Sequence, residues 1–149
     1  MGKIALIAGT GFDGSEIFQT DEEMTIETAY GEVNYVPVSM PDGTEIILLM
    51  RHGKDHHIPP HAIPYRANMM ALQQLGVDKA IGVNAVGGLR RNQHPGTIVL
   101  CDQFLDFTKA RPFTFFDGDD GRVVHTDISF PFCEELRTCL LQAAAKEGI

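Results

Sequence analysis

The sequence offers little that would cross-link it or hold it in a membrane. It has only three cysteines, Cys101, Cys133 and Cys139, and no C-x-x-C pair. An odd count without regular spacing argues against a disulfide framework and reads as buried thiols in a reducing cytoplasm. No apolar run is long enough to cross a bilayer. The opening MGKIALIAGTG runs straight into an expected strand, so neither a secretory leader nor a transmembrane segment is expected. Basic residues are also scarce: 12 Lys and Arg against 20 Asp and Glu leave a net charge of −8. That balance argues against a nucleic-acid or anionic-membrane partner. It leaves room for a small anionic ligand, because a pocket can be locally basic. Repeats, linkers and low-complexity segments are missing too. The 149 residues read as one domain, large enough to bury a core without disulfides or metals.

The apolar patterning predicts alternating strands and helices. Strands are expected over Lys3–Ala8, Met24–Thr28, residues 34–40 and Glu45–Met50, with Pro41-Asp42-Gly43 as a turn. A helix is expected from Pro64 to a stop at Gly76, with Tyr65, Met69, Leu72 and Leu75 on one face. A short buried strand is expected over residues 79–83 and another strand over residues 97–101. A Phe- and Asp-rich loop follows, over about residues 102–127. An amphipathic helix over residues 131–146 turns Leu136, Leu140 and Ala143 inward. The class is α/β, with antiparallel pairing near residues 24–50. The chain stops directly after that helix, where another strand is the next expected element.

Gly9, Gly11 and Gly14 in LIAGTGFDG form a G-x-G-x-x-G after the first strand. A dinucleotide site needs that loop to open a long helix, followed by a second strand with an acid about 20 residues on. Here SEIFQTDEEMTIET follows. Only residues 15–19 suit a helical turn, so the crossover helix is missing. A tight turn without a ligand is one alternative. A single phosphate or sulfate, held by backbone N–H groups and the Thr10 hydroxyl, is another.

Two further strand ends favour the anion. Arg51 and His52 follow the apolar strand Glu45–Met50, and an arginine fork matches tetrahedral oxygens. Asn84, Ala85, Val86, Gly87 and Gly88 follow the strand ending at Val83, where small residues let backbone N–H groups approach a ligand. Four of the six histidines lie in RHGKDHHIPPH. A metal site is the weaker reading there. Lys54 interrupts the stretch, two prolines break it, and no H-E-x-x-H helix is present. One or two of these histidines are expected to line a pocket.

Taken together, AGTGF, RHG followed by His and PYRANMMAL, NAVGGLR, PGTIVLCDQFLDFT, RPFTFFDG and PFCEELR resemble the trimeric purine nucleoside phosphorylase family. The likeness is to its branch acting on 5′-methylthio nucleosides, and the NAVGG form is similar to bacterial S-methyl-5′-thioinosine phosphorylases. Order and spacing are those of the family's N-terminal half. The resemblance implies a mixed, barrel-like sheet flanked by helices, with residues 1–149 the N-terminal part of one phosphorylase domain. It also implies a cytoplasmic homotrimer. Thr10, Arg51, His52, Asn84 and Ala85 would hold phosphate. His56 would lie near the 5′-methylthio group, and His125, in VVHTD, would cover that end from a neighbouring subunit.

The implied reaction is phosphorolysis of methylthioinosine or methylthioadenosine to free purine and 5-methylthioribose 1-phosphate. Phosphate is co-substrate; no metal and no other cofactor are implied. A phosphorylase for ordinary purine nucleosides and a non-catalytic anion-binding fragment are the alternatives. Family members continue for about as many residues again. Base and ribose contacts, and the choice between 6-amino and 6-oxo purines, are expected beyond residue 149.

Overall fold

A computed structural model describes residues 2–9 and 22–149. They fall into two compact units, residues 1–86 with 110–115, and residues 87–109 with 116–149.

The first unit is built on strands β1 (Lys3–Ala8), β2 (Met24–Thr28), β3 (Gly31–Ser39), β4 (Glu45–Met50) and β5 (Val77–Gly82), with helix α1 (Tyr65–Gln74). The strand order is β2-β3-β4-β1-β5. β2–β3 and β3–β4 pair antiparallel, and β1 pairs parallel with both β4 and β5. The result is the expected mixed sheet flanked by a helix. At the Asp42–Gly43 turn, Met40 N–H donates to the Thr44 carbonyl and Gly43 adopts φ +83°. The Asp42 carboxylate accepts the Thr44 N–H at 2.9 Å, and Thr44's backbone and hydroxyl together hold the Asp42 carboxyl below its ordinary range.

Alternation sorts the apolar side chains onto two faces. Ala5, Val33, Tyr35, Ile47 and Leu49 pack under α1, against Ala67, Ala71 and Leu72. Ala8, Val36, Val38 and Leu48 form the cluster on the other face. β4 is central and buried on both sides, hence its unbroken EIILLM. Burying each of Leu48 and Leu49, both about 1% exposed, stabilises the unit by about 1.5–3 kcal/mol.

Several expectations need correction. The buried face of α1 is Ala67, Asn68, Ala71 and Leu72, while Met69 is 41% exposed. Small alanines let the helix lie close to the sheet, so the large residues misplace the face by about one position. β5 begins at Val77 and is an edge strand of the described sheet, half-buried at alternate residues rather than buried throughout. α1 ends as expected, with Gly76 at φ +73°. Residues 15–19 lie outside the described residues.

Segment 110–115 is tied to the first unit by aromatic contacts. The Arg111 guanidinium lies 4.3 Å from the Tyr65 ring centroid. Phe115 meets Tyr30 edge-to-face at 5.5 Å, and Arg66 covers Tyr30 at 4.7 Å.

The second unit contains helix α2 (Glu134–Glu147), closed by Gly148 at φ 74°. Arg137 donates through Nε to the Cys101 carbonyl at 2.9 Å and pairs with Glu134. Leu136, Leu140 and Ala144 are half-buried, whereas Ala143 is exposed. Residues 97–101 are not a strand; an apolar run becomes one only where a neighbour completes its ladder. Cys101, Cys133 and Cys139 are exposed free thiols rather than buried ones, and α2 buries none of its residues. The Phe- and Asp-rich loop is irregular, as expected, and is closed locally by Asp side chains. Asp127, for example, accepts from the Ser129 hydroxyl and N–H, which lower its pKa. Among the described residues no helix is long and apolar enough to cross a membrane.

Candidate functional site

Parallel pairing brings three strand ends together. β1 and β4 are in register Ala8↔Met50, so the residues that follow, Gly9 and Arg51, become neighbours. Arg51 N–H donates to the Ala8 carbonyl at 3.2 Å, and Val83 N–H donates to the Ile7 carbonyl at 2.9 Å. The carboxyl ends of β4, β1 and β5 therefore lie side by side, the position where open α/β sheets collect ligands.

The Arg51 side chain crosses this edge and donates through Nη1 to the Val83 carbonyl at 2.8 Å. It passes directly over Gly9. A Cβ at Gly9 would fall within the guanidinium, closer than 3.0 Å to Cζ and both Nη atoms. Gly9 thus leaves room for this close approach, and a side chain there would displace the guanidinium. Asn84 and Ala85 follow the carbonyl that anchors Arg51 and are exposed. Thr10, the fifth expected phosphate ligand, lies outside the described residues, as do Gly11 and Gly14.

The loop after Arg51 is tightly closed. Ile58 N–H donates to the His52 carbonyl at 3.0 Å, and the His52 ring is bonded through Nδ1 to the Ile58 carbonyl at 2.8 Å. A carbonyl only accepts, so Nδ1 carries the proton in this contact. His56 stacks on His52 with centroids 5.2 Å apart and ring planes 17° apart. It does so from φ 53°, in the left-handed region, a placement most side chains resist. Gly53 has φ 75° and lies under the His57 ring, where a Cβ would collide.

A small hollow is lined by Ala8, Gly9, Met50, His52, Gly53, Lys54 and His56. Its polar groups are the basic types Lys54, His52 and His56, with Arg51 alongside. The structure therefore brings together Arg51, His52 and His56, with Asn84 and Ala85 next to the Arg51 anchor. His125 is an exposed residue of the second unit. Among the described residues no three His, Cys, Asp or Glu side chains cluster as metal ligands do.

Sequence reasoning missed four features here: Lys54 as a lining residue, the Gly9–Arg51 contact, and the two anchoring carbonyls, Val83 and Ile58. The R-H-G-K spacing was a usable signal for Lys54. The carbonyls carry none, since any residue type supplies one.

The same residues lie within a recognised family. Residues 3–149 match the phosphorylase superfamily. The chain belongs to it.

It is 45% identical over 147 residues to a probable 6-oxopurine nucleoside phosphorylase of Dictyoglomus turgidum, covering 99% of this chain and 56% of the relative. It is 46% identical over 145 residues to an S-methyl-5′-thioadenosine phosphorylase of Pyrococcus furiosus, covering 97% and 55% respectively. Among solved structures, a methylthioadenosine phosphorylase from Schistosoma mansoni in complex with adenine superposes with a TM-score of 0.90 at 34% identity. That match covers 100% of this chain and 55% of the other. The chain thus spans about half the length of these relatives.

Proposed function

We propose that these residues form the phosphate-binding half of a purine nucleoside phosphorylase that acts on 5′-methylthio nucleosides. The observation that carries this reading is Arg51, laid over Gly9 and fixed to the Val83 carbonyl where three strand ends meet. One guanidinium N–H is used by that anchor. Among the described residues that is its one side-chain hydrogen bond, which leaves the rest of the fork for a tetrahedral dianion, and charge-assisted hydrogen bonds are the strong kind.

In this reading Arg51 neutralises and orients phosphate. His52, the Thr10 hydroxyl, the Asn84 side chain and the Ala85 N–H fix its oxygens. The C1′–N9 bond breaks through a transition state rich in oxocarbenium character, and a phosphate oxygen forms the new bond to C1′. The bound dianion lies next to the developing cation and lowers its energy. Holding nucleoside and phosphate in line accounts for much of the rate. The bond electrons leave with the purine, which gains the proton that orthophosphate gives up, and the sugar product is 5-methylthioribose 1-phosphate. The reaction balances with nucleoside and orthophosphate alone, so we assign no further cofactor. His56, stacked on His52, is assigned to the 5′-methylthio end. His125 is assigned to cover that end from a neighbouring subunit of a homotrimer. Free, exposed thiols fit a reducing, cytoplasmic setting.

Two specific observations favour other readings. Relatives named for 6-oxopurine nucleosides and for methylthioadenosine match almost equally well, so these residues do not select the base. A span of about half the relatives' length favours an anion-binding unit without turnover. Purine release from 5′-methylthioinosine, 5′-methylthioadenosine, inosine and adenosine, with and without phosphate, tests all three. Phosphate-dependent release that prefers the methylthio substrates is the expected result. Preference for a 5′-hydroxyl would establish the general phosphorylase. Phosphate binding with no release from any substrate would establish the anion-binding unit.

A further inference from the structure

We infer, on the anion-site reading above, that Tyr65 is a positioning residue for the loop that follows β4, and that Arg111 of segment 110–115 acts on the site through it. Tyr65 is the first residue of α1 and is half-buried. Its hydroxyl reaches back five residues and donates to the Pro60 carbonyl at 3.0 Å. Its ring carries the Arg111 guanidinium, 4.3 Å from the centroid. One side chain thus joins helix α1, the end of the histidine-rich loop and a segment from far along the sequence. That segment belongs to the first unit, although the residues on either side of it belong to the second.

The stiffness of the chain decides what the Pro60 carbonyl holds in place. Pro59 and Pro60 follow Ile58 directly. A proline ring fixes φ at about −65°, and Pro59 is extended at φ −69°, ψ 156°. Two prolines in that state pass a displacement on instead of absorbing it. Ile58 makes both bonds that close the loop: its N–H donates to the His52 carbonyl, and its carbonyl accepts from the His52 ring. Beyond Pro60 the chain is anchored by Ile63, which is buried. The Tyr65 hydroxyl therefore fixes the far end of a stiff arm whose near end orients His52. Arg111 keeps that hydroxyl in place. A guanidinium held over an aromatic face restricts the ring, which could otherwise swing its hydroxyl off Pro60. Arg111 is itself presented from a docked backbone, because Phe115 of the same segment packs on Tyr30.

Calorimetric titration with inorganic phosphate, together with proton NMR of the His52 Nδ1–H, tests this. Tyr65→Phe keeps the ring under Arg111 and removes only the hydroxyl. It should raise the phosphate Kd roughly three- to tenfold, the range of one lost neutral hydrogen bond, and speed exchange of the His52 proton with water. Arg111→Gln should do the same, whereas Arg111→Lys, which keeps a cation over the ring, should bind phosphate as wild type does. Tyr65→Phe combined with Arg111→Gln should be no worse than Tyr65→Phe alone. Asp42→Asn, which loosens the turn at the opposite end of β4, controls for lost stability and should leave the Kd unchanged. Wild-type Kd and wild-type exchange in Tyr65→Phe would overturn the inference, as would a loss of binding shared by Asp42→Asn. Additive losses in the double variant, or Arg111→Lys binding as weakly as Arg111→Gln, would overturn the role of Arg111. If Tyr65→Phe fails to fold, the Arg111 variants carry the same two readouts. Failure of the wild type to bind phosphate, with His52 exchange still responding to Tyr65→Phe, would overturn the anion site and leave the bracing of the loop standing.

Discussion

The Arg51 guanidinium occupies the space that a side chain on Gly9 would fill. The two residues are far apart in sequence and become neighbours only through the parallel register Ala8↔Met50. From there Arg51 reaches Val83 at 2.8 Å, so one side chain spans three strand ends. Replacing Gly9 should therefore act through Arg51. We expect Gly9→Ala to weaken phosphate binding by about 1.5–3 kcal/mol, roughly ten- to a hundredfold in Kd. Arg51→Ala should cause a similar loss, and the double variant should be no worse than either single one. Calorimetric titration with phosphate checks this. Additive losses would mean that Gly9 and Arg51 act separately.

Arg51 and Thr10 should differ in weight. Arg51 contributes charge-assisted bonds, about 1.5–3 kcal/mol, whereas a neutral hydroxyl contributes about 0.5–1.5 kcal/mol. Arg51→Ala should raise the phosphate KM more than Thr10→Val does. Equal, small effects would remove Arg51 from the phosphate site. Arg51→Lys should rescue only in part, since a single ammonium cannot hold the Val83 carbonyl and a tetrahedral anion in the same fork geometry.

His56 sits at φ 53°, a backbone state that costs an L-residue about 1–2 kcal/mol and glycine little. His56→Gly should therefore be more stable than His56→Ala by about 1 kcal/mol, although both lose the stacking on His52. Urea unfolding of the two variants measures the difference. A glycine variant less stable than the alanine one would show that the left-handed backbone is not retained.

Asp42 makes the β3–β4 turn sensitive to acid. Thr44 lowers its carboxyl pKa in the folded chain. A depressed carboxyl adds stability that is present above its unfolded value, about 3.9, and is lost as pH falls through the lower folded value. Wild type should exceed Asp42→Asn in stability at pH 6, and the gap should close as the pH drops below that range. Denaturant midpoints at pH 6 and below the carboxyl range test the sign. A gap unchanged by pH would exclude the charge as its cause.

How much of this was legible beforehand differs by element. Lys3–Ala8 and Glu45–Met50 were readable to the residue because they are short apolar runs. The Gly76 stop was readable because only glycine takes φ +73° easily. The strand expected over residues 97–101 was not, since a strand exists only where a neighbour pairs with it. Nor was the face of α1, which alanine chose by letting the helix approach the sheet.

Local chemistry alone determined the strand ends, the turn glycines and the presence of one arginine and several histidines in a proline-bounded loop. Residue type and spacing along the chain are enough for those. Tertiary structure decided which of them meet. Parallel register placed Gly9 beside Arg51, the order β4-β1-β5 put the Val83 carbonyl within reach of the guanidinium, and loop closure turned the His52 ring onto Ile58. The partners in these contacts are a missing side chain and two backbone carbonyls. Gly9 is visible in the sequence but its partner is not, and any residue type supplies a carbonyl, so only packing in three dimensions could reveal these contacts.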